Sequence, residues 1–531
     1  MTRGVNSVNL CYTRTTNYRQ RPFTWAIYVN FTMAKKTKNT SSAIVKRPPI
    51  VVVMGHIDHG KSTLLDFIRK ANVVDSEAGG ITQHLSAYVV AHTTKDDAAE
   101  QITFLDTPGH AAFQKMRLRG ADVADVAVLV VSAEDGVKPQ TLEALESIKQ
   151  AKIPYIIAIN KIDKPGADIL RTQTSLIEHE IYIEGMGGDI PWAPISAKTG
   201  EGVAELLDLI ILSADLADLT GDQNAPATGI VIEGKLDQKR GTTATLIIKN
   251  GTLKSGDFVV TGTSFAPVRI MEDASGKTIK EATLSMPVGI VGFTTTPKAG
   301  SVFYTVENKK AAEIAITETA VVPIIAHQKS ALPTIPILIK ADVLGTLDAI
   351  EHELSLFTSE RISVRIIDTN VGPVSESDVQ AVSATKDAII VGFNVKIERG
   401  AQDLADKLGV EIDTFSIIYE LSEWLNTALK NRTPKMEERI VTGHAKVLKH
   451  FSTQKNTHVL GGRIEDGVLK LGQSVRILRR DIDVGKGVIK NLQQQKSDVK
   501  QVNESEFGMQ VDSKTEVAPG DVIEGFEIVI T

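Results

Sequence analysis

The stretch from Gly55 to Ser62 reads Gly-His-Ile-Asp-His-Gly-Lys-Ser and fits the pattern of a phosphate-binding loop. It follows an apolar run and precedes a helical pattern, which is where a parallel sheet holds such a loop. Glycines let backbone N–H groups turn toward phosphates, Lys61 can reach the β and γ oxygens, and Ser62 offers a hydroxyl to Mg²⁺. The predicted phosphate-binding residues are Gly55, His56, Ile57, Asp58, His59, Gly60, Lys61, Ser62 and Thr63.

Three further motifs, each after an apolar run, complete a nucleotide site. Asp106 opens Asp-Thr-Pro-Gly-His, where its carboxylate can hold Mg²⁺ through water. Asp163 can accept hydrogen bonds from the N1–H and the exocyclic amine of guanine, and adenine would leave this carboxylate unpaired. The Ala197 N–H is expected to meet the guanine carbonyl. The order of these motifs predicts a GTP site. The predicted base-side residues are Asn160, Lys161, Asp163, Ser196, Ala197 and Lys198.

The elements that must position these loops form several modules, because 531 residues exceed the size of one hydrophobic core. From 49 to 215, apolar runs alternate with helical patterns, which indicates a parallel sheet covered on both faces. From 227, alternating β-branched segments and the turn Asn250-Gly251 indicate a small antiparallel barrel. The same turn and strand signals return after residue 437, so we predict two copies of one barrel.

Between the barrels, three apolar strands alternate with helical stretches, one of them opened by the capping box Ser375-x-x-Asp378. This pattern predicts an α/β module at 334–415. A helical segment then runs from Ile417 to about Asn431 and ends before Pro434. We expect this connecting helix, within 416–436, to join the α/β module to the last barrel as a rigid arm.

Charge and cysteine content exclude several classes of protein. The net charge is −6, but residues 1–57 carry nine Lys/Arg and no acid, leaving 50 basic against 65 acidic residues in the rest. Such an acidic body can contact RNA only through local basic patches. The only cysteine, Cys11, excludes a disulfide framework, and no apolar run approaches the roughly 20 residues that span a bilayer. A reducing compartment and no membrane role follow.

The leader, residues 1–48, is expected to be disordered. Its Arg- and Thr-rich, acid-free start reads as an organellar transit peptide, whereas Met33 could instead be the true start of translation. We favour the second interpretation, and with it a cytoplasmic location, because the leader has no clear amphipathic period.

Across residues 49–531 the chain resembles the translational GTPases, and among them bacterial translation initiation factor two. The most specific stretches are 55–66, 77–84, 105–113 and Gly392-Phe-Asn-Val395. The resemblance implies a multidomain α/β and β fold: a P-loop GTPase domain (49–215), a translation-factor β-barrel (227–325), an α/β/α sandwich (334–415), the connecting helix and a second β-barrel (437–531). It also implies GTP and GDP as ligands with Mg²⁺.

The resemblance assigns roles in a switch. Thr82 would join Ser62 and Asp106 around Mg²⁺, and Gly109 would donate its N–H to the γ-phosphate. His110 would orient the attacking water, with Lys61 and Gly109 as the other catalytic residues. Ile57 and Ile81 resemble an apolar gate that withdraws His110 until the ribosome closes the site. No arginine is evident in the switch segments, so we expect slow intrinsic turnover and activation by the ribosome.

In this family the last barrel recognises formylmethionyl initiator tRNA. Here Glu506-Phe507-Gly508, Gly462-Arg463 and Gln493-Gln494 depart from the family pattern, which has cysteines and cations at these places. Phe507 could still offer a stacking surface, or it could be a core aromatic of the barrel. Cations could contact RNA or lie on a solvated strand face. The predicted tRNA-binding residues are Arg463, Arg476, Lys496, Glu506, Phe507 and Gly508, with Arg479 and Arg480 nearby.

The implied partners are the small and large ribosomal subunits and the initiator tRNA, with a monomer away from the ribosome. An elongation-type carrier of aminoacyl-tRNA is an alternative, but the Gly-Phe-Asn-Val module and the second barrel speak against it. A GTPase-driven metabolic subunit would lack both features. A purely structural role is disfavoured because Lys61, Ser62, Thr82 and Asp106 are all present.

Overall fold

The N-terminal domain surrounds a six-stranded sheet in the order β3-β4-β2-β5-β6-β7, which is parallel except for the β3–β4 pair. Its strands are β2 (Ile50–Gly55), β3 (Ser86–Thr93), β4 (Ala99–Asp106), β5 (Val126–Ser132), β6 (Tyr155–Asn160) and β7 (Trp192–Pro194). Its helices are α1 (Lys61–Arg69), α2 (Gln114–Val123), α3 (Pro139–Ala151), α4 (Ile169–Glu178) and α5 (Val203–Leu216). Strands β2 and β5 are buried along their full length, as expected for a sheet covered on both faces.

This computed structural model describes residues 44–70, 82–94, 99–319, 334–357, 362–385, 387–432, 437–495, 497–503 and 506–530. The leader prediction is wrong for residues 44–47, whereas Met33 and the rest of the leader lie outside the described residues. Strand β1 (Ile44–Lys46) pairs antiparallel with β8 (Thr220–Asp222), and buried Arg47 forms a two-bond ion pair with Asp125. This ion pair, together with the strand pairing, gives the end of the leader a fixed position.

The first barrel is antiparallel, with its strands in the order β13-β12-β17-β9-β10-β16-β14. Its strands are β9 (Thr228–Asp237), β10 (Gly241–Asn250), β11 (Leu253–Lys254), β12 (Phe258–Thr261), β13 (Ser264–Pro267), β14 (Met271–Glu272), β15 (Glu281–Ala282), β16 (Pro287–Val291) and β17 (Val302–Val306). The predicted turn follows β10 at Gly251, whose φ of +84° favours glycine. Helix α6 (Lys309–Thr319) follows the barrel.

The α/β module has a parallel sheet in the order β19-β18-β20-β21, flanked by helices. Its elements are β18 (Thr334–Ala341), α7 (Leu344–Leu356), β19 (Ser363–Val371), α8 (Glu376–Ser383), β20 (Ile389–Phe393), α9 (Arg399–Leu408) and β21 (Glu411–Phe415). The predicted cap of α8 is present, because Asp378 accepts a hydrogen bond from the Ser375 N–H at 2.8 Å. The connecting helix is α10 (Ile418–Arg432).

The last barrel repeats the order of six strands of the first barrel. Its strands are β22 (Glu437–Gln454), β23 (Thr457–Gly467), β24 (Leu469–Lys470), β25 (Ser474–Arg479), β26 (Ile482–Gln494), β27 (Ser497–Asp498), β28 (Gln501–Val502), β29 (Glu506–Ser513) and β30 (Val522–Ile530). The order β25-β30-β22-β23-β29-β26 matches β12-β17-β9-β10-β16-β14, and β24–β28 matches the small β11–β15 pair. The predicted repeat and the predicted fold class are confirmed.

Candidate functional site

The phosphate loop lies between β2 and α1, and its two glycines are required by close contacts. A Cβ at Gly55, where φ is +143°, would lie 2.4 Å from the Val130 carbonyl oxygen. A Cβ at Gly60, where φ is +85°, would lie 2.4 Å from Asn160 Nδ2. Because no L side chain fits at either place, the main chain of the loop can come close to a ligand.

Lys61, the first residue of α1, is buried, and its ammonium donates to the His56 carbonyl at 2.8 Å. Burial lowers the pKa of Lys61 to about 8, although the Asp106 carboxylate acts in the opposite direction. A buried ammonium that has one hydrogen bond has two more N–H groups to offer to an anion. This arrangement fits a phosphate ligand.

The segment from Asp106 to Phe113, called here the second switch, comes close to this ammonium with its main chain. A Cβ at Gly109 would lie 2.7 Å from Lys61 Nζ and 3.0 Å from Ile57 Cγ1. Only glycine therefore fits at position 109 without moving Lys61 or Ile57. The Gly109 N–H could reach the same phosphate as Lys61. The Ile57 side chain touches Gly109, and the Ile57 N–H donates to Gln140 Oε1 at 3.2 Å. Ile81, the second predicted gate residue, lies outside the described residues.

The three predicted metal ligands lie together at the edge of the loop. Ser62 Oγ and Thr82 Oγ1 are 2.9 Å apart, and Thr82 Oγ1 donates to Asp106 Oδ2 at 3.5 Å. Two hydroxyls and a carboxylate are the hard oxygen ligands that Mg²⁺ prefers. The residues present therefore fit Mg²⁺, and the assignment of these three residues as its ligands stays a prediction.

The predicted base-side residues meet through Asn160, at the end of β6. Its Nδ2 donates to the His59 carbonyl at 2.8 Å, and its Oδ1 accepts from the Ala197 N–H at 2.9 Å. The Ala197 N–H thus already has a partner, and contact with a guanine carbonyl would require sharing or exchanging this hydrogen bond. Ser196 donates to the exposed Asp163 carboxylate at 2.8 Å, and this hydrogen bond lowers the pKa of Asp163. Lys161 is half-buried and Lys198 is exposed.

The two loop histidines have structural surroundings. His59 is fully buried, its Nδ1 lies 3.3 Å from the Val130 carbonyl, and burial lowers its pKa to about 4. Burial also lowers the pKa of His56, whose ring packs against His59 with centroids 5.0 Å apart. The His59 side chain thus packs between the loop and strand β5, and at this residue only the main chain remains available for a phosphate.

His110 lies between the second switch and the connecting helix. Its Nδ1 accepts from the Ala112 N–H at 2.9 Å, which caps the short 3-10 helix Ala111–Phe113. Its ring meets Tyr419 of α10 edge-on, with centroids 4.3 Å apart. Burial lowers the pKa of His110 and keeps the imidazole neutral. A neutral ring whose Nδ1 is an acceptor carries its proton on Nε2.

The sequence analysis assigned no role to Arg117, in α2. Its side chain is 1% exposed and donates to the carbonyls of Gly109 and His110 and to Glu143. A positive charge therefore does reach the second switch, from α2, where it holds the main chain. An arginine seven residues after His110, about two helical turns along the chain, is the sequence signal that could have found it.

In the last barrel, the predicted tRNA-binding residues fall into different environments: one is buried, some are held in ion pairs, and some are exposed. Phe507 is 5% exposed and packs in the barrel core, so it offers no stacking surface. Arg476 Nε donates to the buried Glu524 carboxylate at 2.6 Å, and Arg479 forms two hydrogen bonds with Asp521. Arg463 is exposed on β23, opposite Glu506, and Gly508 pairs with Gln493; Lys496 lies outside the described residues.

An exposed aromatic on the β22–β23 hairpin was also missed. Phe451 is 60% exposed, lies over Gly461, and has Lys449 Nζ 5.4 Å from its ring centroid. Residues 439–464 contain no Asp or Glu, and Lys446, Lys449, Lys455 and Arg463 are exposed there. An acid-free stretch with one aromatic, in an acidic chain, is the sequence signal that could have found this patch.

Among the described residues, no helix is long and apolar enough to cross a membrane.

Comparisons with known proteins match this architecture module by module. Residues 46–215 match the elongation factor Tu GTP binding domain, 226–306 match elongation factor G domain 2, and 308–426 match translation-initiation factor 2. The chain is 41% identical over 515 residues to translation initiation factor IF-2 of Lachnoclostridium phytofermentans, covering 94% of this chain and 45% of the relative. The identity to IF-2 of Carboxydothermus hydrogenoformans is 39% over 513 residues, with coverages of 93% and 61%.

The chain thus spans about half the length of the curated relatives that it matches. Among solved structures, it is similar to GDP-bound aIF5B from Aeropyrum pernix, with 28% identity, a TM-score of 0.47, and coverages of 91% of this chain and 92% of that chain. Identity near 40% across more than nine-tenths of this sequence, with the initiation-factor model in its middle, identifies the family. The chain belongs to the translation initiation factor IF-2 family of translational GTPases.

Proposed function

We propose that this chain binds and hydrolyses GTP and acts as a translation initiation factor in the cytoplasm. It would bind initiator formylmethionyl-tRNA to the small ribosomal subunit, promote joining of the large subunit, and leave after hydrolysis. The observation that carries the proposal is the convergence of Lys61, Gly109, Asp106 and the Asn160 loop at one edge of the sheet, in a chain of this family.

The reaction would transfer the γ-phosphoryl group of GTP to water, giving GDP and inorganic phosphate. Lys61 would neutralise charge on the β and γ oxygens, and the Gly109 N–H would sense the γ-phosphate. Ser62, Thr82 and Asp106 would hold Mg²⁺, which would supply further charge neutralisation when bound. Such chemistry depends mainly on positioning, so a neutral His110 needs only to orient the water.

Asp163 supports GTP over ATP. Its carboxylate is exposed at the base side and is held by Ser196, and its lowered pKa keeps it ionised at neutral pH. An ionised carboxylate can accept both N–H donors on the Watson–Crick edge of guanine, whereas adenine presents a bare ring nitrogen there.

The contact with tRNA is supported by the hairpin patch around Phe451 rather than by Phe507. An exposed aromatic beside lysines is the kind of surface that stacks on unpaired bases and holds the phosphates of an acceptor end. Arg463 lies on the same hairpin and remains a candidate contact. Arg476 would contribute only indirectly, through its ion pair with Glu524.

Two assays test the proposal with the full chain. GTP hydrolysis should be slow for the chain alone and strongly stimulated by purified ribosomes; a lack of stimulation would favour a metabolic or scaffold role. In filter binding, formylmethionyl initiator tRNA should be retained in preference to an elongator aminoacyl-tRNA. Preference for the elongator would instead support an elongation-type carrier.

A further inference from the structure

One side chain joins the start of the connecting helix α10 to the segment that contains Thr82, called here the first switch. Gln83 is buried, its Nε2 donates to the Ser416 carbonyl at 3.0 Å, and its Oε1 accepts from the Ile418 N–H at 3.3 Å. Both ends of the amide are thus used on the helix start. Gln83 directly follows Thr82, one of the proposed Mg²⁺ ligands, so the residue next to a proposed ligand holds the start of α10.

The same helix turn touches the second switch through Tyr419. The Tyr419 ring meets the His110 ring edge-on, with centroids 4.3 Å apart and an interplanar angle of 69°. Tyr419 is nevertheless 46% exposed, so it fills no part of the hydrophobic core. Because this exposed tyrosine contacts a candidate catalytic histidine with its ring, we infer that it does more than stabilise the hydrophobic core.

The surroundings of His110 show which way its ring faces. The charged groups that act on it are Glu353 and His352 of α7, together with Arg117 and Glu143. The ring itself lies against Tyr419 of α10 and against Phe113, with centroid distances of 4.3 and 6.2 Å, so the imidazole packs on the α10 side of its segment. The main chain of His110 is fixed by Arg117, so only the side chain needs to rotate.

We propose that Tyr419 is a positioning residue for the hydrolytic reaction, whose ring holds His110 turned away from the nucleotide until α10 moves. The inference rests on the proposed GTPase function and adds a restraint from the connecting helix to the predicted isoleucine gate. When the ribosome or Thr82 displaces the first turn of α10, Tyr419 leaves His110, and the imidazole can swing toward the water.

The test uses full-length variants and single-turnover GTP hydrolysis without ribosomes. Tyr419→Ala removes the ring and keeps a good helix former, whereas Tyr419→Phe keeps the ring and loses only the hydroxyl. Thr427→Ala is the matched control, because it removes an exposed hydroxyl of α10 whose 3.0 Å hydrogen bond goes to the Glu423 carbonyl of the same helix. An aromatic pair of this kind corresponds to roughly three- to tenfold in rate.

We expect Tyr419→Ala to raise ribosome-free kcat by about three- to tenfold with KM within about twofold. Tyr419→Phe and Thr427→Ala should stay within about twofold of the parent chain. In the His110→Ala background, Tyr419→Ala should have no further effect, because the restraint acts only through His110. An unchanged or lower rate in Tyr419→Ala, or an equal gain in the His110→Ala background, would overturn the inference.

A second measurement does not need the reaction. In proton NMR of the nucleotide-free chain, the His110 Hε1 signal, assigned by its loss in His110→Ala, should carry a ring-current shift. This shift should vanish in Tyr419→Ala and persist in Tyr419→Phe; its persistence in Tyr419→Ala would refute the contact. If the parent chain shows no ribosome-stimulated hydrolysis, the proposed function fails. If stimulation is normal but Tyr419→Ala leaves the ribosome-free rate of GTP hydrolysis unchanged, only this inference fails.

Discussion

The nucleotide site and the tRNA-facing surface of the last barrel were predicted with the same kind of argument, and the structure treats them differently. At the nucleotide site, the motif residues converge because each follows a parallel strand whose end lies at the same edge of the sheet. On the last barrel, Arg476 and Arg479 are held by carboxylates of β30 and its preceding turn, and Phe507 faces the core. The nucleotide site is therefore formed mainly by main-chain geometry. On the last barrel, ion pairs between side chains determine which cations are available to a ligand.

The comparison shows where a motif is informative. A glycine with positive φ and a residue at a strand end have few alternative structures, so their types reveal their place. A cation on a strand has many possible partners, and a buried acid opposite it is invisible in the linear pattern.

Lys61→Ala should lower GTP affinity by at least about a hundredfold, because the only ammonium of the loop is lost from a buried site. Isothermal titration with GTP and GDP measures it, with Lys149→Ala, an exposed lysine of α3 outside the predicted site, as the control. A loss of less than about tenfold would mean that the loop main chain alone holds the phosphates.

Two histidines should give the two regions opposite pH dependence. His59 has a pKa of about 4 in the fold against 6.5 when unfolded, so its protonation removes roughly 3 kcal/mol of stability as the pH falls from 6.5 to 4. His444 is partly desolvated, but hydrogen bonds to Asp466 and Glu524 outweigh this and raise its pKa. Its contribution is therefore complete below pH 6.5 and is lost as the pH rises through the folded pKa.

Hydrogen exchange followed by mass spectrometry, corrected for intrinsic exchange, separates these effects. Protection of α1 and β2 should fall in acid, and this fall should vanish in His59→Gln. Protection of β22 and β30 should fall toward alkaline pH, and this should vanish in His444→Gln. The same sign in both regions would contradict the assignment.

Asp163→Asn should weaken GTP binding by about thirtyfold and improve binding of xanthosine triphosphate. Xanthine replaces the exocyclic amine of guanine with a carbonyl, which can accept from the new amide but not from a carboxylate. Competition between the two nucleotides on parent and variant chains measures the change. Unchanged preference would remove Asp163 from the base site.

Arg476→Ala should lower the stability of the last barrel by about 2 kcal/mol, because the buried Glu524 would keep only His444 as a partner. Arg463→Ala, on the exposed face of the hairpin, should change stability by less than about 0.5 kcal/mol and weaken tRNA binding a few-fold. Urea unfolding and filter binding measure the pair. The reverse pattern would restore Arg476 as a direct RNA contact.

Much of the architecture was readable from the sequence, and the exceptions share one cause. Apolar runs of four to six residues predicted the parallel strands, and repeated Gly and turn signals predicted two barrels with the same strand order. The order of residues 44–47 was missed because Arg47 is stabilised by Asp125, 78 residues away. Distant pairing of this kind leaves no local periodicity.

The sequence by itself determined the modules, the phosphate loop and the residues able to select guanine, because these depend on backbone conformations that few residue types allow. Only the tertiary structure decided that Ala197 donates to Asn160, that Arg117 holds the second switch, and that Phe507 is buried. It also brought Tyr419 of the connecting helix onto His110, across a separation that no motif spans. Such contacts depend on how whole modules pack, since a side chain finds its partner only after both strands or helices have been placed.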